Sequence, residues 1–228
     1  MFYFGDWTII LILPGLLLGL WAQARVSSAF RKYSQVHNSR GLTANEAARA
    51  LLRDGGCPNV SIRQTSGMLT DHYDPRTNTL RLSDGVNGQT SVAAIGVAAH
   101  ECGHALQQHE GYAPLMLRNA LVPVVNLGSN LYFPLFVLGL ISSWEPLINI
   151  GILCFALTLV FSLVTLPVEF NASARAMRAL SGQGYLSEDE LRGARAVLNA
   201  AALTYVASAI SSLLQLLRLL LISRSRRD

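Results

Sequence analysis

The stretch from Leu121 to Val168 reads LVPVVNLGSNLYFPLFVLGLISSWEPLINIGILCFALTLVFSLVTLPV and contains a single charged residue, Glu145. It is too long for one bilayer crossing, because a hydrocarbon core takes about 20 helical residues. It fits two helices of that length joined by residues 142–146, Ser-Ser-Trp-Glu-Pro. We therefore predict a transmembrane helical hairpin over residues 119–168.

A second apolar stretch lies near the N-terminus. Residues 7–24 carry no charge and are about 27 Å long as a helix, which nearly matches a hydrocarbon core of roughly 30 Å. Residues 22–24, Ala-Gln-Ala, resemble a signal-peptidase site, but no basic region precedes the apolar run, whereas Arg25, Arg31 and Lys32 follow it. The pattern favours a retained anchor, residues 1–24, with its N-terminus outside and Arg25 in the cytoplasm.

The last apolar stretch, residues 196–217, differs because polar side chains recur at spacings of three and four. A helix of this pattern has one polar stripe on an apolar surface. Basic residues flank the stretch at both ends, so a crossing would leave one basic group on the wrong side. We predict a helix that lies at the interface or packs in the bundle, with a fourth span as the alternative. The stripe consists of Thr204, Ser208, Ser211, Gln215 and Arg218, and the flanks of Arg192, Arg195, Arg224, Arg226 and Arg227.

Polar residues concentrate between these stretches. Residues 25–118 hold 17 charged residues and all five histidines, which predicts a polar domain on the cytoplasmic side, followed after the hairpin by a C-terminal segment, 169–228. Thr43–Glu46 is a capping-box pattern for a helix that ends before two glycines, and Ser187–Glu190 is a second one. Thr79–Ser83 alternates as a strand does, so a small β element is expected.

The composition argues against several partners. The net charge is +4, and the 18 basic residues include a single lysine, Lys32. The arginines lie at the ends of apolar stretches, which suits membrane orientation better than phosphate binding. No glycine-rich phosphate loop precedes a helix. We therefore expect a lipid bilayer as a partner, and neither nucleic acid nor nucleotide. Three cysteines without CxxC spacing predict no disulfide framework.

The chemistry is concentrated in residues 100–104, His-Glu-Cys-Gly-His, an HExxH motif that follows a helix-forming run from Val92. On a helix, His100 and His104 project from one face a turn apart, so both imidazoles can reach one metal ion at about 2.0–2.1 Å. Glu101 lies beside the first ligand, where its carboxylate can accept a proton from a water without binding the metal.

A catalytic zinc site needs a third protein ligand. Glu110 occupies the position where a metzincin would have its third histidine, so the third ligand lies elsewhere. Glu169 stands out because it follows an apolar span, where a carboxylate is costly without a partner or function. The hairpin crosses twice, so residues before and after it lie on the same, cytoplasmic side. The other candidates are His37, His72, His109 and a different distant carboxylate.

At this point the sequence resembles the YugP-type family of membrane zinc metallopeptidases, also called neutral zinc metallopeptidase family 2. The resemblance covers nearly the whole chain. More distantly, it is similar to gluzincins of the HtpX and CAAX-protease type. The matching stretches are Asp71-His72-Tyr73-Asp74-Pro75, Leu80-Arg81-Leu82-Ser83, Ala98-Ala99-His100-Glu101-Cys102-Gly103-His104-Ala105-Leu106-Gln107, Pro167-Val168-Glu169-Phe170-Asn171-Ala172-Ser173 and Ala202-Leu203-Thr204-Tyr205-Val206-Ala207.

The resemblance implies one zinc ion per chain, bound by His100, His104 and Glu169, with Glu101 as the general base. Gluzincins usually carry an aspartate four residues after the third ligand. Here that position is Ser173, so Ser173 or Asn171 is the substitute that orients an imidazole. For stabilising an oxyanion the candidates are His72, Tyr73, Tyr205 and Arg175.

Together these features predict a mainly α-helical integral membrane protein, with a helical zincin-like metalloprotease domain and a small β element packed on a transmembrane helix bundle. The expected activity is endoproteolysis in the cell membrane, by a water that zinc activates and Glu101 deprotonates. The strand at Thr79–Ser83 either pairs with an extended substrate or only completes the sheet. The rival functions are a non-catalytic metal-binding scaffold and a non-haem iron or manganese enzyme.

Overall fold

The computed structural model describes residues 7–225. Residues 1–6 of the predicted anchor, and Arg226 and Arg227 of the basic flank, lie outside the described residues. The described chain begins with a short 3-10 helix, Trp7–Leu11, and is otherwise built of helices and one small sheet. Its elements are α1 (Leu13–Ser34), α2 (Ala44–Asp54), β1 (Ser61–Gln64), β2 (His72–Asp74), β3 (Thr79–Leu82), α3 (Val92–His109), α4 (Ala113–Ser142), α5 (Glu145–Gly182) and α6 (Glu188–Arg224).

The structure confirms a mainly α-helical chain with a small β element. Four helical segments are long and apolar enough to cross a membrane: Trp7–Ser34, Ala113–Ser142, Glu145–Gly182 and Glu188–Arg224. Large apolar side chains on these helices are exposed, which water disfavours and a bilayer accommodates. They include Leu17, Leu20, Phe133, Leu153 and Leu163. The predicted break between two hairpin helices is confirmed, because α4 ends at Ser142 and α5 begins at Glu145.

Both predicted capping boxes form. At the start of α2, the Thr43 hydroxyl accepts a hydrogen bond from the Glu46 N–H, and the Glu46 carboxylate accepts one from the Thr43 N–H at 2.9 Å. At the start of α6, the Glu190 carboxylate accepts one from the Ser187 N–H at 2.7 Å. Its second oxygen accepts one from the Ser39 N–H at 2.6 Å, so this cap also fixes the loop before α2.

The sheet has the order β1-β3-β2, with β3 in the centre. β3 pairs with β1 in parallel and with β2 antiparallel. The predicted strand at Thr79–Ser83 therefore forms. Of its two alternatives, pairing within the sheet is confirmed and pairing with a substrate is wrong, because both edges of β3 already have partner strands. β2 is an edge strand, and its length of three residues is set by the turn at residues 75–78, where Asn78 has a φ of +48°.

One compact unit consists of Gln23–Met116 and Pro167–Leu203. Its core packs α2 and β3 against α3, whose inner surface is made of small side chains such as Ala94, Ala98 and Ala105. Small side chains allow neighbouring backbones to approach closely, and α3 is buried along most of its length. Leu80 and Leu82 of β3 are fully buried in this core. This packing holds α3 in place, and with it the HExxH residues that follow Ala99.

The other unit contains the remaining described residues, with a small core of Phe136, Ile148, Phe155 and Leu219. Within it, a Cβ on Gly15 would lie 2.8 Å from the Ser211 Oγ. Seven residues further along α6, the Arg218 Nε donates a hydrogen bond to the Thr8 Oγ1 at 3.2 Å. Because Thr8 precedes Gly15 while Arg218 follows Ser211, α6 runs antiparallel to the N-terminal helix, and two residues of its polar stripe contact that helix. The placement of α6 relative to a membrane stays a prediction. The zincin-like domain and the division of the chain into four segments also stay predictions.

Candidate metal centre

Helices α3 and α5 bring together two imidazoles and one carboxylate. The Glu169 Oε2 lies 3.2 Å from the His100 Nε2 and 3.5 Å from the His104 Nε2. The three ligand atoms all lie within 4.8 Å of one another, as a shared metal ion requires. Glu169 is only 2% exposed, and the imidazole rings meet edge to face with centroids 4.8 Å apart. Among the described residues this is the one such group of three or more histidine, cysteine, aspartate or glutamate side chains.

The close approach of the two helices depends on Gly103, inside the HExxH motif. A Cβ at this position would lie 2.5 Å from the Ala172 carbonyl oxygen and 3.1 Å from the Ala172 Cα. These are backbone atoms of α5, and they cannot move aside as a flexible side chain can. Gly103 therefore lets α5 lie directly against the motif. The contact brings the two histidines of α3 close to Glu169 and Ser173 of α5.

Ser173 contacts the first histidine. Its Oγ lies 3.0 Å from the His100 Nδ1, the ring nitrogen opposite the one that faces Glu169. A partner on the second nitrogen fixes the orientation of a ligating imidazole. The serine that replaces the expected aspartate is therefore in position to orient His100.

Gln107 contacts the second histidine, and the sequence reasoning did not identify this residue. Its Oε1 lies 3.0 Å from the His104 Nδ1, while its Nε2 donates to the Val168 carbonyl at 2.8 Å and to the Asn171 Oδ1 at 2.9 Å. Since the amide nitrogen faces two acceptors, the amide oxygen must accept from a protonated Nδ1. The Gln107 amide oxygen thereby fixes the orientation of the His104 ring, with its Nε2 directed toward Glu169.

The hydrogen-bonded chain continues from Asn171 to the protein surface. The Arg175 Nε donates to the Asn171 Oδ1 at 2.7 Å, and the Arg175 Nη1 donates to the Glu110 Oε1 at 2.6 Å. The Arg175 guanidinium also lies 5.8 Å from the centroid of the Tyr112 ring. Asn171 thus contacts Gln107 and not an imidazole, so it supports the His104 partner indirectly. The sequence signal for Gln107 was its position three residues after His104, on the same helix face.

The electrostatics of the site favour a cation. Burial acts to lower the pKa of the His104 imidazole, but hydrogen bonds to Glu169 and Gln107 and the negative charges of Glu101 and Glu169 together raise that pKa above its ordinary value. Positive charge is therefore stabilised at the point where the three ligand atoms converge. Two imidazole nitrogens and one carboxylate oxygen are a ligand set that zinc accepts, and such sites leave a fourth position open. The residues present fit a zinc ion.

Glu101 lies on α3 beside the ligands but is not one of the three converging groups. Its Oε2 accepts a hydrogen bond from the Tyr73 N–H at 3.1 Å. That N–H belongs to β2, an edge strand of the sheet, so the carboxylate lies at the border between β2 and α3. Glu101 is 9% exposed, which makes it accessible only from a confined direction.

The other candidates have different contacts. The Tyr73 hydroxyl donates to the Asn78 Oδ1 at 2.8 Å, and the His72 Nδ1 donates to the Thr70 carbonyl at 2.8 Å. Arg175 binds Asn171 and Glu110, as described above. Tyr205 belongs to the other compact unit. The oxyanion roles of His72, Tyr73, Tyr205 and Arg175 stay predictions.

We predict that replacing Gln107 by leucine weakens zinc binding by about 10- to 100-fold, the range typical for loss of a partner that orients a ligand. The substitution leaves the His104 Nδ1–H without its hydrogen-bond partner and removes the side-chain donor to the Val168 carbonyl. The control is Gln108→Leu, because the Gln108 Oε1 is buried without a hydrogen-bond partner in the described structure. Competition with a zinc-chelating dye measures both affinities, and equal affinities in the two variants would contradict the orienting role of Gln107.

Comparisons with known proteins identify the family of this chain. Residues 8–224 match the model of a family described as "Putative neutral zinc metallopeptidase". The chain is 46% identical over 220 residues to "Putative membrane protease YugP" of Bacillus subtilis (strain 168), an alignment that covers 96% of this chain and 98% of the relative. No solved structure matches with significance. With the match spanning nearly its whole length, this chain belongs to the neutral zinc metallopeptidase family.

Proposed function

We propose that this protein is a membrane-embedded, zinc-dependent endopeptidase. The observation that carries the proposal is the convergence of His100, His104 and Glu169 next to the carboxylate of Glu101. The family description and the name of the Bacillus relative, a membrane protease, support it. One zinc ion per chain would be held by the two imidazoles and the Glu169 carboxylate.

When bound, zinc would lower the pKa of a water toward about 7 and polarise the scissile carbonyl. Glu101 then has two tasks. It accepts the proton of the attacking water, and it delivers that proton to the nitrogen of the leaving amine. The hydrogen bond from the Tyr73 N–H holds one carboxylate oxygen in place, which leaves the other oxygen for the proton.

The substrate class is a peptide or protein segment in an extended conformation. β2 lies at the edge of the sheet, and its Tyr73 N–H marks the side on which Glu101 lies. An extended segment can add to an edge strand through main-chain hydrogen bonds. The exposed apolar helices confine the enzyme to a membrane, so membrane-associated proteins are the substrates we propose.

For the orientation in the membrane, we propose four spans in the cell membrane, with the active site facing the cytoplasm. The antiparallel contacts of Gly15 with Ser211 and of Thr8 with Arg218 place the apolar parts of both helices side by side. Two helices paired in this way have the same depth, so α6 crosses if the N-terminal helix does. Together with the hairpin, the number of crossings is even, so Trp7 and Ser225 both lie on the outer side.

We predict that single cysteines at Asn45 and Ser225 are labelled from opposite sides of the membrane. A thiol reagent that does not permeate should reach Ser225→Cys and Trp144→Cys on intact cells, and Asn45→Cys only after lysis. The natural cysteines are removed beforehand. Labelling of Ser225→Cys from the inside alone would refute the fourth span and favour the interfacial or bundle-packed helix that the sequence predicts. Labelling of Asn45→Cys on intact cells would refute the cytoplasmic site.

The zinc part of the proposal is tested by Glu169→Ala. We expect about one zinc ion per wild-type chain, and a loss of most of it in the variant, because two imidazoles alone hold zinc weakly. Elemental analysis of the purified protein measures the metal and also tells zinc from iron or manganese. Glu110→Ala removes a nearby carboxylate that is not a ligand, and it should retain zinc. Full occupancy in Glu169→Ala would mean a different third ligand, with His72 next.

A further inference from the structure

Cationic side chains accumulate where α1 leaves its apolar part. Residues 7–24 carry no charge, whereas Arg25, Arg31 and Lys32 follow within about two helical turns. All three side chains are exposed. No aspartate or glutamate occurs in the sequence between Asp6 and Glu46.

Two of these cations line a groove between α1 and α6. The groove has a volume of about 460 Å³, and no acidic residue lines it in the described structure. Its walls offer a guanidinium, an ammonium, a hydroxyl and an amide as hydrogen-bond donors, and its floor is apolar. The contributing residues are Arg25, Ser28 and Lys32 of α1 and Asn199, Ala200 and Leu203 of α6.

A second cavity adjoins α1 on the neighbouring face. It has a volume of about 490 Å³, and its lining includes Arg31, Lys32 and Gln35. This cavity, too, has no acid among its lining residues in the part of the chain that the structure describes. Basic residues that only orient a helix need no cavity around them. Here the cations of α1 border two adjoining recesses, so their charge and the shape of the surface both suit a ligand with negative charge.

The chemistry of the groove matches one class of ligand. Guanidinium, ammonium and hydroxyl groups bind the oxygens of a phosphate diester, and an apolar floor suits the start of an acyl chain. The groove also lies where a charge-free helical stretch ends, which in the four-span arrangement proposed above is the depth of lipid headgroups, and basic pockets between membrane helices bind anionic headgroups. We propose that the groove between α1 and α6 is a binding site for the headgroup of an anionic phospholipid. The proposal does not depend on peptidase activity.

The test measures lipid binding to the purified full-length protein after delipidation in detergent. Phosphatidylglycerol and phosphatidylcholine are added separately, and native mass spectrometry counts the bound lipids. We expect the wild type to prefer phosphatidylglycerol and the variant Arg25→Gln/Lys32→Gln to lose affinity for it by roughly 30-fold, as expected for two cations near a membrane surface.

Two further variants separate a defined site from diffuse attraction. Arg49→Gln/Arg53→Gln removes two exposed cations of α2 and should retain the preference. Asn199→Trp keeps every charge but fills the groove from an exposed position, so it should lose the bound lipid without unfolding. Equal losses in the two double variants, wild-type binding by Asn199→Trp, or no lipid preference in the wild type would each overturn the proposal. An unchanged elution volume in size exclusion establishes that each variant is folded.

Discussion

Replacing Glu101 by glutamine is expected to lower the rate of peptide hydrolysis by about 10²- to 10⁴-fold, the usual contribution of a general base. The loss should lie toward the upper end, because the same group serves first as base and then as acid. The fold should survive, since the amide oxygen of glutamine can still accept the hydrogen bond from the Tyr73 N–H. Zinc should remain bound, because Glu101 is not one of the three converging ligands.

The measurement compares membranes that contain the wild type with membranes that contain the variant, and proteomics identifies the cleaved proteins. Glu188→Gln is the matched control, because this glutamate is exposed in the first turn of α6 and its loss of charge should leave activity unchanged. Cleavage within about tenfold of wild type by a zinc-loaded Glu101→Gln protein would show that another group is the base. The non-catalytic scaffold, or a different metal chemistry, would then become the better explanation.

Replacing Gly103 by alanine is expected to separate the metal ligands. The new Cβ would lie 2.5 Å from the Ala172 carbonyl oxygen, so α5 has to move by roughly 1 Å to reach ordinary contact. A displacement of that size carries Glu169 and Ser173 away from the two histidines. A misplacement of roughly 1 Å can cost about 10²-fold in rate, and we expect weaker zinc binding of a similar order together with lower thermal stability.

This result would be opposite to the usual effect of the substitution. Glycine to alanine inside a helix normally stabilises by about 0.5–1 kcal/mol. Gly19→Ala is the control, since a Cβ at Gly19 would meet no atom within 4 Å, and it should leave zinc affinity unchanged. Zinc titration and thermal unfolding compare the two variants, and a Gly103→Ala protein with wild-type zinc affinity would refute the steric role of Gly103.

The sequence alone determined the features that depend on short-range spacing. The charge-free stretches predicted the hairpin, and both capping boxes predicted their helix starts, because a side chain three residues away satisfies the free N–H groups of a helix end. The spacing of His100 and His104 predicted two ligands on one helix face, since four residues are close to one helical turn. The choice of Glu169 among the candidates for the third ligand needed the family resemblance as well.

Only the tertiary structure decided how distant segments meet. The alternation at Thr79–Ser83 predicted a strand correctly, but the position of that strand in the centre of the sheet depends on which strands pair, and strand pairing is not a local property. Gln107 could not be singled out, because its partners Val168 and Asn171 lie more than 60 residues away in sequence. Likewise, the steric role of Gly103 could not be predicted, because the local sequence is the same whether or not the α5 backbone lies against this glycine. The two histidines of the candidate metal site are therefore encoded by local spacing on α3. Their approach to Glu169 depends on the direct contact of Gly103 with Ala172, which packing alone sets.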